Sequence, residues 1–202
     1  MTKKVRILVL FANPWNTGRI LAAEEAREIS KRIQEGPYRD SFELLIHGAV
    51  TPDDLQWLLL KYEPQIVHFS GHGTTDQRIL LQGRNGGAQS LDHEGLTKLL
   101  AFYNSHVRLV LLNACLSKAQ ALSISEVIDY SIGTARPIGD KASVAFAGAF
   151  YRALGFGKSI REAFESANAQ LALTKMPRSC GIELFVRNGL DERDRFPRSE
   201  TD

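Results

Sequence analysis

The chain has 202 residues, of which 44% are hydrophobic and 24% charged, and its formal net charge is +2. This length and composition are typical of one globular domain with its own apolar core. The small and scattered positive charge argues against nucleic acid as a direct partner, and no apolar run approaches the roughly 20 residues of a membrane-spanning helix. The apolar run over residues 7–12 is also too short for a signal peptide, so we expect a cytoplasmic protein with no membrane partner.

Short apolar runs alternate with amphipathic segments in the first half of the chain, which predicts strands alternating with helices. In chain order we predict a strand over Val5–Ala12, a helix over Leu21–Ile33, a strand over Phe42–His47, a helix from Thr51 to about Tyr62 and a strand over Gln65–Ser70. The mixed charges of residues 24–28 in the first helix are interpreted as a solvated face.

The second half continues the same alternation after a small hairpin. We predict this hairpin over Arg78–Gln82 and Gly83–Gln89, a helix capped by Ser90–Glu94 and reaching Tyr103, a strand over Val107–Leu112, a helix over Gln120–Ser125, a strand over Val127–Ile132, helices over Lys141–Leu154 and Ser159–Leu173, and a strand over Ile182–Val186. The whole pattern predicts an α/β fold with a mostly parallel sheet, in one domain over residues 1–190. We expect the polar tail over residues 191–202 to fray.

Two of the predicted strands end in residues that are suited to chemistry. His72 follows the third strand and stands between Gly71 and Gly73, and Cys115 follows the later strand Val107–Leu112. Reactive groups of open α/β sheets gather at the carboxyl ends of the strands. Glycines beside a histidine allow the backbone to turn sharply and to approach another group closely.

A thiol of ordinary pKa near 8.5 needs a base or a positive charge beside it to react at neutral pH, and an imidazole supplies either. If the two strands are parallel neighbours, the helix between them returns the chain so that His72 and Cys115 meet. The backbone amides of Gly73 and Cys115 would then be natural donors to an oxyanion. Taken alone, either side chain is more often structural, and their joint position at strand ends favours a reactive pair.

The other candidate residues give weaker signals. His68 lies within a predicted strand, where we expect it to be part of the core or to support the site. His47, His93 and His106 are scattered, and no spacing of histidines and cysteines resembles a zinc site. No glycine-rich segment has the ending of a phosphate loop, so we expect neither metal nor cofactor. Cys180 precedes a strand and has no obvious partner.

The segments 66–73 (IVHFSGHG) and 111–115 (LLNAC) closely resemble the CHAT domain family, relatives of caspases and separases among the clan CD cysteine peptidases. The resemblance extends to residues 132–142, 146–157 and 159–164 and to the opening segments 7–14 and 38–42. It covers nearly the whole chain, from Val5 to Val186.

This resemblance implies a caspase-like three-layer sandwich with about six strands, in which His72 is the general base and Cys115 the nucleophile of a cysteine endopeptidase. It also implies cleavage of a specific protein partner in a bacterial stress or antiphage response, with a separate regulatory or sensor protein. The alternative is a catalytically idle CHAT module that serves as a scaffold or docking domain. A third reading is a small-molecule binder that uses the crevice at the strand ends.

Asp140 matches an acidic position that binds a basic residue before the cleaved bond in separase-type relatives. The resemblance therefore implies a substrate-binding role for Asp140, through a charge-assisted hydrogen bond to Arg or Lys. The alternative is that Asp140 caps the helix beginning near Lys141, and both roles are compatible. Two nearby residues depart from the family pattern: Thr134 stands where many members have a bulkier residue, and Arg136 is placed to compete for Asp140.

Overall fold

A six-stranded sheet runs through the protein and carries helices on both faces. The computed structural model describes residues 4–174, 181–190 and 196. The strands in this part are β1 (Val5–Phe11), β2 (Phe42–His47), β3 (Ile66–Ser70), β4 (Ile79–Gln82), β5 (Ala88–Leu91), β6 (Leu109–Asn113), β7 (Tyr130–Thr134) and β8 (Ile182–Val186). The α-helices are α1 (Ala22–Gln34), α2 (Pro52–Tyr62), α3 (His93–Phe102), α4 (Lys118–Ile124), α5 (Asp140–Gly155) and α6 (Ile160–Leu173), and a single 3₁₀ turn covers Arg39–Ser41.

The strand order across the sheet is β2-β1-β3-β6-β7-β8. All neighbouring pairs are parallel except β7 with β8, which are antiparallel. β4 and β5 form the separate antiparallel hairpin that the turn-forming residues predict. The mostly parallel sheet of about six strands is therefore confirmed.

Successive side chains of the buried strands pack alternately into two separate hydrophobic cores, one on each face of the sheet. In β1, Ile7 and Val9 face α1, α5 and α6, whereas Leu8 and Leu10 face α2, α3 and α4. A strand that is covered on both faces must be apolar at nearly every position, which is why β1 is apolar except at Arg6. The predicted three-layer α/β sandwich is confirmed.

The strand after α4 begins later than its sequence pattern indicates. We predicted it over Val127–Ile132, but the backbone amides of Val127 and Ile128 donate to the Ile124 carbonyl and continue the end of α4. Pairing with β6 starts only at Tyr130. Apolar residues in a buried turn and in a buried strand look alike in a sequence, so periodicity alone placed the boundary too early.

The C-terminal part is described only in places. Cys180 and the tail apart from Phe196 lie outside the described residues. Phe196 is 3% exposed and packs in the core that contains α1, α5 and α6. Its ring centroid lies 5.4 Å from the guanidinium carbon of Arg108. Within the described ranges, no helix has both the length and the hydropathy to cross a membrane.

Candidate active site

The pairing of β3 with β6 brings the two predicted reactive residues to one place. Ser70 and Asn113 are register partners at the ends of these parallel strands. His72 and Cys115 each follow two residues later, and both line the same surface cavity. The other residues that line this cavity come from the loop before α1, from α1 itself, from the two strand ends and from the start of α5: Ile20, Leu21, Glu25, Ser70, Gly71, Asn113, Ala114, Ile138, Asp140, Ser143 and Val144.

Both glycines beside His72 are required by close packing. A Cβ atom at Gly73 would lie 1.7 Å from the carbonyl oxygen of Cys115, and one at Gly71 would lie 2.7 Å from Cζ of Phe69. Real side-chain carbons do not approach other atoms this closely, so neither position accepts a larger residue without a shift of its surroundings. The close approach at Gly73 is to the backbone of Cys115, which packs the His72 segment against the Cys115 turn.

The imidazole of His72 is held by a backbone carbonyl. Its Nε2 lies 2.6 Å from the carbonyl oxygen of Gly18, in the loop between β1 and α1. A carbonyl oxygen can only accept, so Nε2 must carry the hydrogen of this bond. In the neutral ring, Nδ1 is then the nitrogen that is free to accept a proton.

Hydrogen bonds hold the buried side of the turn that carries Cys115. The carbonyl of Ala114 accepts hydrogen bonds from the hydroxyls of Ser117, at 2.8 Å, and of Thr134, at 2.6 Å. Leu116 has a φ of 57°, a left-handed conformation that is unfavourable for a leucine. Thr134, which departs from the family pattern, thus holds the residue before Cys115.

The thiol itself lies at the edge of the cavity. Sγ of Cys115 is 3.7 Å from the Ile138 carbonyl, and the side chain is half-buried. Among the described residues, neither the Gly73 nor the Cys115 backbone N–H donates a hydrogen bond to the protein. Both predicted oxyanion donors are therefore without a protein acceptor in the described part of the chain, and of the two only Cys115 lines the cavity.

A buried carboxylate lies at the floor of the cavity. Glu25 is 3% exposed, which corrects our interpretation of residues 24–28 as a solvated face. It accepts hydrogen bonds from Nε2 of His68 at 2.9 Å, from the Ser70 hydroxyl at 2.6 Å and from the Asn113 amide at 2.6 Å. Burial opposes ionisation, but these three hydrogen bonds and the electrostatic attraction of His68 hold the pKa of Glu25 below its ordinary value. Glu25 is therefore ionised at neutral pH.

The spacing of α1 carries a signal for this burial. Glu25 precedes the buried residue Ile29 by four positions, so both lie on one helical face. His68 is fully buried, as expected, and its Nδ1 lies 3.2 Å from the hydroxyl of Tyr151 on α5. Burial and the negative charge of Glu25 raise the pKa of Tyr151 well above its ordinary value, so its hydroxyl keeps its proton.

Asp140 lines the cavity from the first position of α5. The N-cap of this helix is Gly139, and no side chain provides a cap hydrogen bond, so the structure does not show the alternative capping role of Asp140. Asp140 is exposed and shares the cavity with His72 and Cys115. Within the described part of the chain, Arg136 forms no ion pair with Asp140, and the competition considered from the sequence is not seen.

The remaining histidines lie outside the cavity. His47 packs beside the ring of Tyr62, with ring centroids 5.5 Å apart. His106 lies 3.7 Å from a carboxylate oxygen of Glu63, and His93 begins α3. His72 is the one histidine among the described residues that line the cavity.

The comparisons with known proteins agree on one family. The CHAT domain profile matches residues 10–182. A Roc-COR-CHAT protease from an unknown prokaryotic organism is 28% identical over 183 residues, which are 87% of this chain and 17% of that protein. A probable protease from Gillisia limnaea is 27% identical over 158 residues, which are 76% of this chain and 28% of that protein. The chain thus spans less than a third of the length of either relative.

The fold is shared with a solved caspase. The crystal structure of the Drosophila initiator caspase Dronc superposes with a TM-score of 0.59 at 10% sequence identity, covering 91% of this chain and 79% of that one. At this identity the similarity concerns the fold, which is caspase-like.

The close approach at Gly73 yields a first prediction. In Gly73→Ala the new Cβ meets the Cys115 carbonyl, so the two segments must separate. We expect a loss of about 1–3 kcal/mol in the free energy of unfolding, measured in urea, and a fall of roughly tenfold or more in the rate of Cys115 alkylation by iodoacetamide.

Gly48→Ala is the matched control, because a Cβ at Gly48 meets no atom within 4 Å. It should leave both quantities close to those of the wild type. A Gly73→Ala variant with unchanged stability and unchanged alkylation would contradict the close approach.

Proposed function

Since this chain belongs to the CHAT domain family, we propose that it is a cysteine endopeptidase in which His72 and Cys115 form the catalytic dyad. One observation carries the proposal: both side chains line a single cavity, and the Gly18 carbonyl occupies Nε2 of His72, which leaves Nδ1 to act as the base. The names of the two relatives, a Roc-COR-CHAT protease and a probable protease, support the same class of reaction.

In the proposed mechanism, Nδ1 of His72 takes the proton from the Cys115 thiol, and the thiolate attacks the carbonyl carbon of a peptide bond. The N–H group of Cys115, which lines the cavity and has no acceptor among the described residues, donates to the resulting oxyanion, and the N–H group of Gly73 is the proposed second donor. The C–N bond then breaks, and the His72 imidazolium returns its proton to the leaving amine. Water, deprotonated by His72, hydrolyses the thioester and restores the thiol.

We propose that the residue before the cleaved bond is Arg or Lys and that Asp140 binds it. Three observations support this role: Asp140 lines the cavity, it is exposed, and it provides no helix cap. A carboxylate without an internal partner can form charge-assisted hydrogen bonds with a guanidinium or ammonium group that enters from solvent.

The family resemblance also supports a biological setting. We propose that the enzyme cuts a specific protein partner in a bacterial stress or antiphage response and that a separate regulatory or sensor protein controls it. A reactive thiol remains reduced in the cytoplasm, which is the compartment we propose. A catalytically idle scaffold is the competing function, and it predicts that Cys115 has no special reactivity.

Covalent trapping tests the dyad. A peptide that ends in a basic residue and a thiol-directed ketone should modify the tryptic peptide that contains Cys115, as read by mass spectrometry. Modification should be absent in Cys115→Ala and slower by roughly a hundredfold or more in His72→Ala, because the base is gone. His93→Ala, which removes an exposed imidazole from the start of α3, should react at the wild-type rate.

If the wild type does not react with the peptide, even after addition of candidate partner proteins, the proposed peptidase function is overturned and the scaffold function remains.

Peptide reporters that differ only in the residue before the cut test Asp140. Asp140→Asn keeps the shape and removes the charge, so kcat/KM should fall roughly ten- to a hundredfold for Arg and Lys reporters and little for uncharged ones. Asp53→Asn, which removes an exposed acid from the first turn of α2, controls for the loss of a helix-terminal charge. An equal loss for all reporters in Asp140→Asn would mean that Asp140 supports the fold without selecting the substrate.

A further inference from the structure

The two strand ends that carry His72 and Cys115 are joined by a single carboxylate. Ser70 ends β3 and precedes Gly71-His72, and its register partner Asn113 ends β6 and precedes Ala114-Cys115. Both donate to Glu25, at 2.6 Å each. We infer that Glu25 is a positioning residue for the proposed dyad, which it serves by holding the two strand ends at a fixed separation. This inference rests on the proposed function of His72 and Cys115.

The hydrogen bonds from Ser70 and Asn113 to Glu25, which we call the clamp, lie where the backbone pairing between β3 and β6 weakens. The amide of Gly71 donates to the Asn113 carbonyl at 3.4 Å, longer than the usual range of about 2.7–3.2 Å. His72 and Cys115 lie beyond this last weak bond of the ladder. Besides the backbone approach of Gly73 to the Cys115 carbonyl, the hydrogen bonds of Glu25 connect the two strand ends through side chains.

Glu25 is 3% exposed at the floor of the cavity, and both of its oxygens already accept hydrogen bonds from the protein. Oε1 accepts from His68 and Asn113, and Oε2 accepts from Ser70. A buried carboxylate with three donors keeps its charge without further partners. This separates it from Asp140, which is exposed at the rim of the same cavity and, among the described residues, accepts no side-chain hydrogen bond. We therefore assign substrate selection to Asp140 and positioning to Glu25.

The hydrogen-bond network around Glu25 extends to one further element, α5. Asn113 also donates to the Ser143 carbonyl of α5 at 3.3 Å, and His68 lies against the Tyr151 hydroxyl of the same helix. α1 supplies the carboxylate, β3 and β6 the donors, and α5 the outer partners. Hydrogen bonds to a charged group in a water-poor interior are strong and directional, so a small displacement of Glu25 must move both strand ends.

The experiment measures the reactivity of the thiol and not proteolysis. The rate of alkylation of Cys115 by iodoacetamide is followed against pH by mass spectrometry on the peptide that contains it, and the thermal midpoint is recorded for every variant. The variants are Glu25→Gln, which keeps the shape, and Glu25→Asp, which keeps the charge but is one methylene shorter. Glu24→Gln removes an exposed neighbouring charge, and Tyr151→Phe weakens the network away from the strand ends.

If Glu25 positions the pair, both Glu25 variants should move the pH midpoint of alkylation upward, toward the value near 8.5 of an ordinary thiol. The rate of alkylation at neutral pH should fall on the order of tenfold or more, because the proposed base would no longer be held in position. The direction is diagnostic, since loss of a nearby negative charge alone would make the thiolate easier to form and would lower the midpoint. Glu24→Gln should match the wild type, and Tyr151→Phe, which removes only an outer partner of the network, should shift the pH midpoint less than either Glu25 variant does.

Suppose that the pH midpoint of alkylation is well below 8.5 in the wild type and is unchanged or lowered in Glu25→Gln. That result would overturn the positioning role of Glu25 and leave the proposed dyad intact. A wild type that reacts like an ordinary thiol would overturn the dyad, and the role of Glu25 with it. If neither Glu25 variant folds, Ser70→Ala decides, because it removes one donor of the clamp with little change in volume. It should raise the midpoint in the same direction, and an unshifted midpoint would count against the clamp.

Discussion

The parallel pairing of β3 with β6 is the constraint on which the site depends. Because Ser70 lies opposite Asn113, the segments that follow these residues leave the sheet at the same edge and at the same height. The absence of a side chain at Gly73 then allows one segment to pack directly on the Cys115 carbonyl. A slip of one residue would turn His68 and Ser70 toward the opposite core and would separate the two proposed catalytic side chains.

A buried carboxylate is an expensive way to stabilise a protein, because its desolvation offsets much of what its hydrogen bonds contribute. Glu25 nevertheless has three donors, from β3 and β6, at the floor of the cavity. An apolar side chain would fill the same space but would place no directional restraint on Ser70 or Asn113. The arrangement is therefore better explained by the geometry of the strand ends than by stability. The strained backbone of Leu116, next to Cys115, fits the same view, since such strain persists only where the surroundings impose it.

Much of the architecture follows from sequence patterns that are local. The apolar runs of β1 and β6, the glycines around His72 and the segment before Cys115 predict the sheet and the two reactive strand ends. The burial of Glu25 is hard to predict, because its neighbour Glu24 is exposed and the charged residues of α1 follow one another in the sequence. Its four-residue spacing from Ile29 is the one signal that places it on the buried face of the helix. The carbonyl of Gly18 had no signal at all, because every residue offers the same backbone acceptor. Its role depends on how the loop after β1 folds back over His72, which is a property of the tertiary structure.

We propose that the imidazole of His72 activates the thiol of Cys115, with which it lines one cavity. The rate at which iodoacetamide alkylates Cys115 at neutral pH, followed by mass spectrometry on the peptide that contains this residue, tests the proposal without any substrate. We predict that alkylation is roughly tenfold or more slower in His72→Ala than in the wild type, because the base is gone. Equal rates in the two proteins would contradict the account.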